Sequence, residues 1–205
     1  MEPDEVRRDW AEREGDYSPR YYAEKGPDGT SEALRSAIEF YAGDDAAVLE
    51  IGCGSGRHLE HLRRNGVDDL AGVDINDESF GVMGEYFPDL AATGTFHTGA
   101  IEDVLPEFAD DEFDAVYSVE TLQHVHPEDT WVFEEVVRVC SDLLVTVENE
   151  GNGARRGREG AEVSYVDDEF PLYHRNWKEV FSELGAVQVV KEPSDRDTLR
   201  AFRVV

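Results

Sequence analysis

Residues 48–57, with the sequence VLEIGCGSGR, decide the fold of this chain. The apolar run from Ala46 to Ile51 predicts a short buried strand, because a strand covered on both faces carries apolar residues without alternation. Three glycines at alternate positions follow it, and behind them Leu59 and Leu62 have helical spacing. The pattern predicts a strand, a glycine turn and a helix, an arrangement in which a ligand can approach the backbone and meet the helix N-terminus.

The spacing of these glycines distinguishes between two kinds of nucleotide-binding turn. A dinucleotide-binding turn reads G-x-G-x-x-G, whereas the glycines here form G-x-G-x-G and Arg57 takes the place of the third glycine. With an acidic residue in front, the run resembles motif I of the class I S-adenosylmethionine (SAM) methyltransferases, E/D-x-G-x-G-x-G. A tight turn without a ligand is the alternative interpretation. The resemblance implies that the segment binds SAM through Glu50, Gly52, Cys53, Gly54 and Gly56.

The second predicted strand, residues 69–74, ends on a carboxylate. Asp74 in that position can accept hydrogen bonds from two adjacent ribose hydroxyls, as an acid does in nucleotide-binding α/β folds. The resemblance assigns Asp74 to the ribose of SAM and places Ile75 beside the adenine. As an alternative, Asp74 only caps the helix that follows.

The segment GAIEDVLP, residues 99–106, is similar to the family's G-D-A-E-D-L-P segment, which binds adenine. Ala100 replaces the first acid of that pattern. The resemblance implies that the backbone amide near Ile101 binds adenine. The side-chain contact to the exocyclic amine is then lost or falls to Glu102 or Asp103.

Residues 113–127, FDAVYSVETLQHVHP, resemble motif IV of the small-molecule branch, F-D-x-V-x-S-x-x-x-L-x-H, rather than the N/D-P-P-Y/F form. The resemblance includes Ser118 among the cofactor-binding residues and favours a small-molecule acceptor with an oxygen or nitrogen nucleophile. His124 lies just past the strand tip and is the first candidate for a general base, since histidine titrates near neutral pH. Glu120 is the second candidate. In the alternative interpretation His124 only packs or hydrogen-bonds locally.

The alternation of predicted strands and helices favours an α/β fold. We expect a doubly wound, seven-stranded, mostly parallel sheet with helices on both faces and a C-terminal antiparallel hairpin formed by residues 187–191 and 198–205. Residues 1–30 are expected to form an N-terminal arm or lid, and residues 31–205 the SAM-binding methyltransferase domain. Four aromatic residues of the arm either line a pocket or pin the arm to the surface: Trp10, Tyr17, Tyr21 and Tyr22.

Residues 149–170 are expected to form a mobile loop or insertion over the active site. The loop holds the densest basic cluster of the chain, Arg155, Arg156 and Arg158. Guanidinium groups suit carboxylate or phosphate, so these arginines could recruit an anionic acceptor. Alternatively, the loop is solvated and its arginines offset the surrounding acid.

The composition is strongly acidic, with 47 Asp and Glu against 19 Lys and Arg and a net charge of −28. It resembles the composition of halophilic proteins and argues against a nucleic-acid partner, which requires a basic face. Two cysteines make no disulfide framework, and neither a signal peptide nor a membrane span is evident, so we expect a cytoplasmic protein. His58 and His61 are expected to be solvated. No cluster has metal-ligand spacing, so no metal is expected.

Three functions remain open at this point. The first is transfer of a methyl group from SAM to a small molecule. The second is that of a SAM-binding, non-catalytic partner subunit. The third is that of a nicotinamide-dependent oxidoreductase on a related sheet, against which Arg57 counts.

Overall fold

The computed structural model describes residues 1–151, 162–166, 170–194 and 196–205. A seven-stranded sheet occupies the centre of this part of the chain, with the strand order β3-β2-β1-β4-β5-β9-β8, and a separate two-stranded hairpin, β6-β7, lies beside it. The strands are β1 (Val48–Ile51), β2 (Leu70–Asp74), β3 (Thr95–Thr98), β4 (Phe113–Val119), β5 (Cys140–Glu148), β6 (Glu162–Val166), β7 (Phe170–His174), β8 (Val187–Pro193) and β9 (Thr198–Arg203). Strands β1 to β5 are parallel, and β9 runs antiparallel to both of its neighbours. The predicted fold class is confirmed.

Helices connect these strands and cover the sheet. They are α1 (Pro3–Ala11), α2 (Pro19–Lys25), α3 (Gly29–Tyr41), α4 (Arg57–Arg64), α5 (Ser79–Tyr86), α6 (Pro88–Thr93), α7 (Ile101–Val104), α8 (Val132–Arg138) and α9 (Trp177–Glu183). Short 3₁₀ turns at Leu105–Glu107, Leu122–His124 and Pro127–Asp129 lie between them. None of the described helices is both long and apolar enough to cross a membrane.

Each face of the sheet has its own apolar core, which explains why apolar residues stand at consecutive positions of β1, with Glu50 as the exception. Successive side chains of a strand point to opposite faces. Leu49 belongs to the core that contains Trp177 of α9, whereas Val48 belongs to the core that contains Leu34 of α3. All four residues are fully buried. A polar side chain at either β1 position would therefore meet a covered surface.

The strand register brings the predicted motifs to one edge of the sheet. Ile51 of β1 is paired with Val73 of β2 and with Ser118 of β4. The residues that follow these three strands therefore meet at their carboxyl ends. The strand order reverses between β1 and β4, and the crevice at such a reversal is where open α/β sheets bind ligands.

The sequence patterns predicted no strand at β7, which contains Tyr173 and His174. The structure places both residues in β7, which is paired antiparallel with β6. The five residues of β7 are all buried and show no alternation. Pairing with β6 stabilises their extended conformation. The residues of β7 alone do not reveal this pairing, so the local sequence does not predict the strand.

Candidate cofactor and acceptor site

A cavity of about 190 Å³ lies at the carboxyl ends of β1, β2 and β4. Residues that follow these strands form one side, and α1 contributes Val6, Arg7 and Trp10 to the other. Nine of the twelve residues assigned to the site from the sequence line this cavity: Glu50, Gly52, Cys53, Asp74, Ile75, Ile101, Glu102, Glu120 and His124.

The glycine turn has a backbone conformation that residues other than glycine rarely adopt. The φ angles are +69° at Gly52, +52° at Gly54 and +80° at Gly56. Gly52 also lies against the end of β4, where a Cβ atom would come within 2.1 Å of Oγ1 of Thr121. Gly54 and Gly56 shape the turn without lining the cavity.

Asp74 is held by three hydrogen bonds at the end of β2. Its Oδ2 accepts from the backbone N–H of Gly54 at 2.7 Å, and its Oδ1 accepts from the N–H of Asn76 at 2.9 Å and from Oγ of Ser79 at 2.8 Å. Burial raises the pKa of Asp74, while these three bonds act to lower it. Its partner in α5 is the hydroxyl of Ser79 and not a backbone N–H of that helix, so Asp74 does not cap α5, and its carboxylate lies on the cavity wall.

Glu50 and Cys53 form the floor of the cavity beside the turn. Glu50 is almost fully buried, and its Oε2 accepts a hydrogen bond from the hydroxyl of Tyr117 at 3.0 Å. Burial raises the pKa of the Glu50 carboxyl well above its usual range, and it raises the pKa of the Cys53 thiol in the same way. Burial therefore favours the protonated form of both groups.

Ile75, Ile101 and Glu102 lie together on the cavity wall, as the resemblance implies for the adenine end. Oε1 of Glu102 is 3.5 Å from Nη1 of Arg7, which ties α1 to this end of the cavity. Burial raises the pKa of Glu102, and Arg7 opposes that shift. Ser118 differs from its assignment: it is fully buried off the cavity wall, and its Oγ donates to Oε1 of Glu148 at 2.7 Å.

His124 also lines the cavity, and its ring has a defined tautomer. Its Nδ1 is 2.9 Å from the carbonyl oxygen of Pro171, and because a carbonyl can only accept, Nδ1 carries the proton. Desolvation by the surrounding chain lowers the pKa of His124 to about 4, so the ring is neutral at pH 7. Nε2 is then the nitrogen with a free lone pair. The local packing considered from the sequence is also present, with the ring of Trp10 at 4.5 Å between centroids.

Glu120, the second candidate base, is paired. Its carboxylate is 2.9 Å from Nη2 of Arg196, which belongs to the turn between β8 and β9. The residue has a φ angle of +51°, an uncommon conformation outside glycine. This pairing leaves the carboxylate of Glu120 less available than the ring of His124 to take a proton from an acceptor.

The sequence offered weak or no signals for several other wall residues. Of the four arm aromatics, Trp10, Tyr17 and Tyr22 line the cavity and Tyr21 does not. Wall residues that were not anticipated include Arg7, Ser55, Asn76, Thr121, Gln123 and Arg196. Their roles arise from contacts between distant segments, so no local pattern marks them.

The prediction that His58 is solvated was wrong. His58 is 4% exposed, lines the cavity and has its Nδ1 2.7 Å from Oγ of Ser31. Burial lowers the pKa of His58 to about 3. Helix α4 turns this residue inward, whereas His61 reaches Glu32 at the surface, with its Nε2 3.1 Å from the carboxylate.

Arg155, Arg156 and Arg158, proposed to recruit an anionic acceptor, lie outside the described residues. Most of the expected loop at residues 149–170 lies outside them as well. Within the described part of the chain, no group of three or more His, Cys, Asp or Glu side chains is placed to hold a metal ion.

Comparisons with known proteins agree with this architecture. Residues 48–142 match the family model described as a methyltransferase domain. No curated protein matches the sequence. Among solved structures, the chain is similar to geranyl diphosphate C-methyltransferase from Streptomyces coelicolor A3(2), with a TM-score of 0.73, 14% identity and coverage of 99% of this chain and 98% of that one.

Two further structures show the same fold. Magnesium protoporphyrin IX methyltransferase from Synechocystis PCC 6803 with bound SAM has a TM-score of 0.64 at 16% identity, covering 98% of this chain and 90% of that one. An S-adenosylmethionine dependent methyltransferase from Mesorhizobium loti has a TM-score of 0.66 at 15% identity, covering 92% and 99%.

The chain has the fold of the class I SAM-dependent methyltransferases, and its residues 48–142 match a methyltransferase domain, so the resemblance seen in the sequence is confirmed at the level of the fold and the domain. SAM is the methyl donor of that class, so the cofactor predicted from the glycine turn is supported.

Proposed function

We propose that this protein transfers a methyl group from SAM to a small-molecule acceptor with an oxygen or nitrogen nucleophile. The observation that carries the proposal is that one cavity is lined both by the proposed cofactor residues and by a candidate base. The glycine turn and Asp74 line it together with a neutral histidine of defined tautomer. An in-line transfer requires such an alignment of donor and acceptor more than it requires covalent chemistry from the protein.

For the cofactor, we assign the ribose hydroxyls to Asp74. Three hydrogen bonds already fix the carboxylate, so little freedom would be lost when SAM binds. Ile75, Ile101 and Glu102 are assigned to the adenine, and Glu50 with Gly52 and Cys53 to the part of SAM nearest the turn. Ser118 is left out of this assignment because it lies off the wall.

For the acceptor, we assign the general base to His124. The hydrogen bond between its Nδ1 and Pro171 orients the ring, and Nε2 can take a proton from the acceptor as the methyl group is transferred. With a pKa of about 4, His124 is unprotonated at neutral pH and can accept a proton. Its driving force for proton transfer is smaller than that of an ordinary histidine.

Calorimetric titration tests the proposal, with SAM, S-adenosylhomocysteine (SAH) and NADH added in turn in about 2 M KCl, which screens the acidic surface. We expect micromolar binding of SAM and SAH and no binding of NADH. Asp74→Ala should weaken SAH binding about 100-fold, since it removes charged hydrogen bonds worth about 3 kcal/mol. Asp77→Ala, at an exposed neighbouring position, is the matched control.

The two alternatives give different results in this titration and in an assay of methyl transfer. Binding of NADH alone would make the protein a nicotinamide-dependent oxidoreductase. Binding of SAH without methyl transfer to any tested acceptor class would favour a non-catalytic partner subunit. Two buried free cysteines, Cys53 and Cys140, agree with the cytoplasmic location that we propose.

A further inference from the structure

Arg57 has one side of its guanidinium group without a partner. Its Nη1 donates to Oδ2 of Asp28 at 3.0 Å, and Asp28 is the only carboxylate within 4.0 Å of it among the described residues. Nε and Nη2 have no hydrogen-bond partner in that part of the chain, and neither atom is fully buried. These two nitrogens form the fork with which arginine binds a carboxylate through two parallel hydrogen bonds.

The guanidinium group of Arg57 lies beside two other groups of the cavity wall. Its central carbon is 5.1 Å from the centre of the Tyr22 ring, and Arg57, Tyr22 and Glu50 all line the cavity. Burial raises the pKa of both Glu50 and Tyr22, and the positive charge of Arg57 opposes each shift. The charge therefore lies close to both groups of the wall.

Tyr22 adds a hydroxyl donor next to this fork. The hydroxyl has no hydrogen-bond partner within the described ranges and is not fully buried, in contrast to that of Tyr117, which donates to Glu50. The raised pKa of Tyr22 keeps its hydroxyl protonated, so the group is able to donate a hydrogen bond. Tyr22 belongs to α2 and Arg57 to α4, so two separate segments bring these donors to one cavity.

Arg57 supplies the positive charge of α4 at the cavity. The other cationic residues of this helix do not line the cavity, and burial keeps the neighbouring His58 neutral by lowering its pKa to about 3. The ion pair with Asp28 is partly exposed, with 46% of the Asp28 side chain accessible, so it neutralises Arg57 only weakly. Burial also favours the protonated form of Glu50. The fork thus has no anionic partner among the described residues, which favours a ligand that supplies one.

We propose that Arg57 and Tyr22 bind the carboxylate of SAM, with Nε and Nη2 of Arg57 on its two oxygens and the hydroxyl of Tyr22 as an additional donor. Arg57 is the first residue of α4 and directly follows the glycine turn, next to which the proposed function places SAM. The inference rests on that proposed function and adds two residues that select the cofactor by its negative group. Analogues of the cofactor without a carboxylate should therefore bind weakly.

The test compares two ligands by calorimetry on the full-length protein in about 2 M KCl. They are SAH and decarboxylated SAH, in which hydrogen replaces the carboxylate. We expect the unchanged protein to bind SAH at least about tenfold more tightly than decarboxylated SAH, the effect of charge-assisted hydrogen bonds. Arg57→Met should weaken SAH by about the same factor and change the affinity for decarboxylated SAH less than about twofold. Retained binding of decarboxylated SAH also shows that this variant is folded.

Further variants separate the charge from the fork and from the hydroxyl. Arg57→Lys keeps the positive charge without the fork, so it should restore only part of the affinity for SAH. Tyr22→Phe keeps the ring and removes the hydroxyl, which should weaken SAH about fivefold, the effect of one hydrogen bond, and leave decarboxylated SAH unaffected. Arg64→Met is the matched control, because Arg64 is exposed on the same helix and does not line the cavity.

Each outcome decides for or against the proposal. Equal affinity of the unchanged protein for the two ligands would overturn it, and so would an equal loss of both affinities in Arg57→Met or no loss of either. Benzoate is also titrated into the SAH-saturated protein. Benzoate binding that disappears in Arg57→Met while SAH affinity is unchanged would assign the fork to the methyl acceptor and overturn the proposal. Failure of the unchanged protein to bind either cofactor analogue would overturn the proposed function itself, whereas every other outcome requires that one of them binds.

Discussion

Glu148 and Arg175 hold opposite ends of the 3₁₀ turn Leu122–His124. The carboxylate of Glu148 accepts from three consecutive backbone N–H groups, beginning with that of Thr121, at 3.1 to 3.3 Å. The guanidinium of Arg175 donates to the backbone oxygen of Val125 at 2.6 Å. Both side chains are almost completely buried. The hydrogen-bond acceptor lies at the N-terminal end and the cationic donor at the C-terminal end, which matches the partial charges of the turn.

Substitution of Glu148 by glutamine should therefore loosen the turn that carries the proposed base. The isosteric Glu148→Gln keeps one oxygen but turns an NH₂ group toward donors that need an acceptor. We expect a loss of about 1–3 kcal/mol in the free energy of unfolding, the cost of a buried unsatisfied donor. Urea unfolding in constant KCl measures it.

Glu192→Gln is the matched control for that experiment. Glu192 is exposed on the edge strand β8, and a surface change of this kind should stay within about 0.5 kcal/mol. Equal stability of the two variants would show that the contacts of Glu148 contribute nothing to the turn.

Gly52 and Gly54 make a second pair of matched positions. Both have positive φ angles, but a Cβ atom at Gly52 would meet Thr121, whereas a Cβ atom at Gly54 has no atom within 4 Å among the described residues. Gly54→Ala should cost only backbone strain, about 1–2 kcal/mol. Gly52→Ala adds the steric conflict and should cost at least about 2 kcal/mol more. Thermal unfolding compares them, and similar losses would mean that Thr121 moves away freely.

The sequence predicted what is local in this fold. The glycine turn, the carboxylate at Asp74 and the apolar β1 each occupy a few consecutive residues, and the physical reason for each can be stated from those residues alone. The C-terminal hairpin of β8 and β9 was also predicted and is confirmed, since its two β-rich runs are separated by a turn signal.

The parts of the site that sequence patterns could not give depend on contacts between distant segments. Trp10 meets His124 although more than one hundred residues separate them, and Gln123 is oriented by Asn149. The burial of His58 follows from Ser31 on another helix. Residue types and motifs indicate candidate site residues. Which of these candidates line the same cavity depends on how the N-terminal segment and the loops pack on the sheet.

Acid should destabilise the protein through His124. Its folded-state pKa of about 4 lies below the ordinary value of 6.5, so the unfolded chain takes up a proton at a pH where the folded chain does not. The contribution is complete above pH 6.5 and is lost as the pH falls toward 4. Between pH 7 and pH 5 the loss should reach about 2 kcal/mol in the free energy of unfolding.

A variant separates this contribution from those of other groups. In His124→Asn the drop in stability between pH 7 and pH 5 should be smaller than in the unchanged protein by about 2 kcal/mol. Between pH 7 and pH 8 the two proteins should show the same pH dependence. Equal acid dependence of the two would contradict a lowered pKa at this position.

Asn76 connects the N-terminal arm, residues 1–30, to the end of β2. Its Nδ2 donates to the backbone oxygen of Arg13 at 3.0 Å and lies 3.4 Å from that of Trp10. Asn76→Ala removes both contacts, worth about 1–1.5 kcal/mol, and should increase cleavage of the arm by protease about five- to tenfold. Mass spectrometry of early cleavage products measures the rate, with Asp77→Ala, exposed at the next position, as the control.

SAH should slow cleavage if the arm closes over bound cofactor, because a ligand that contacts only the closed form of the arm favours that form. Faster cleavage in both variants, or in neither, would show that the arm is held by other contacts, such as that of Arg7 with Asp129.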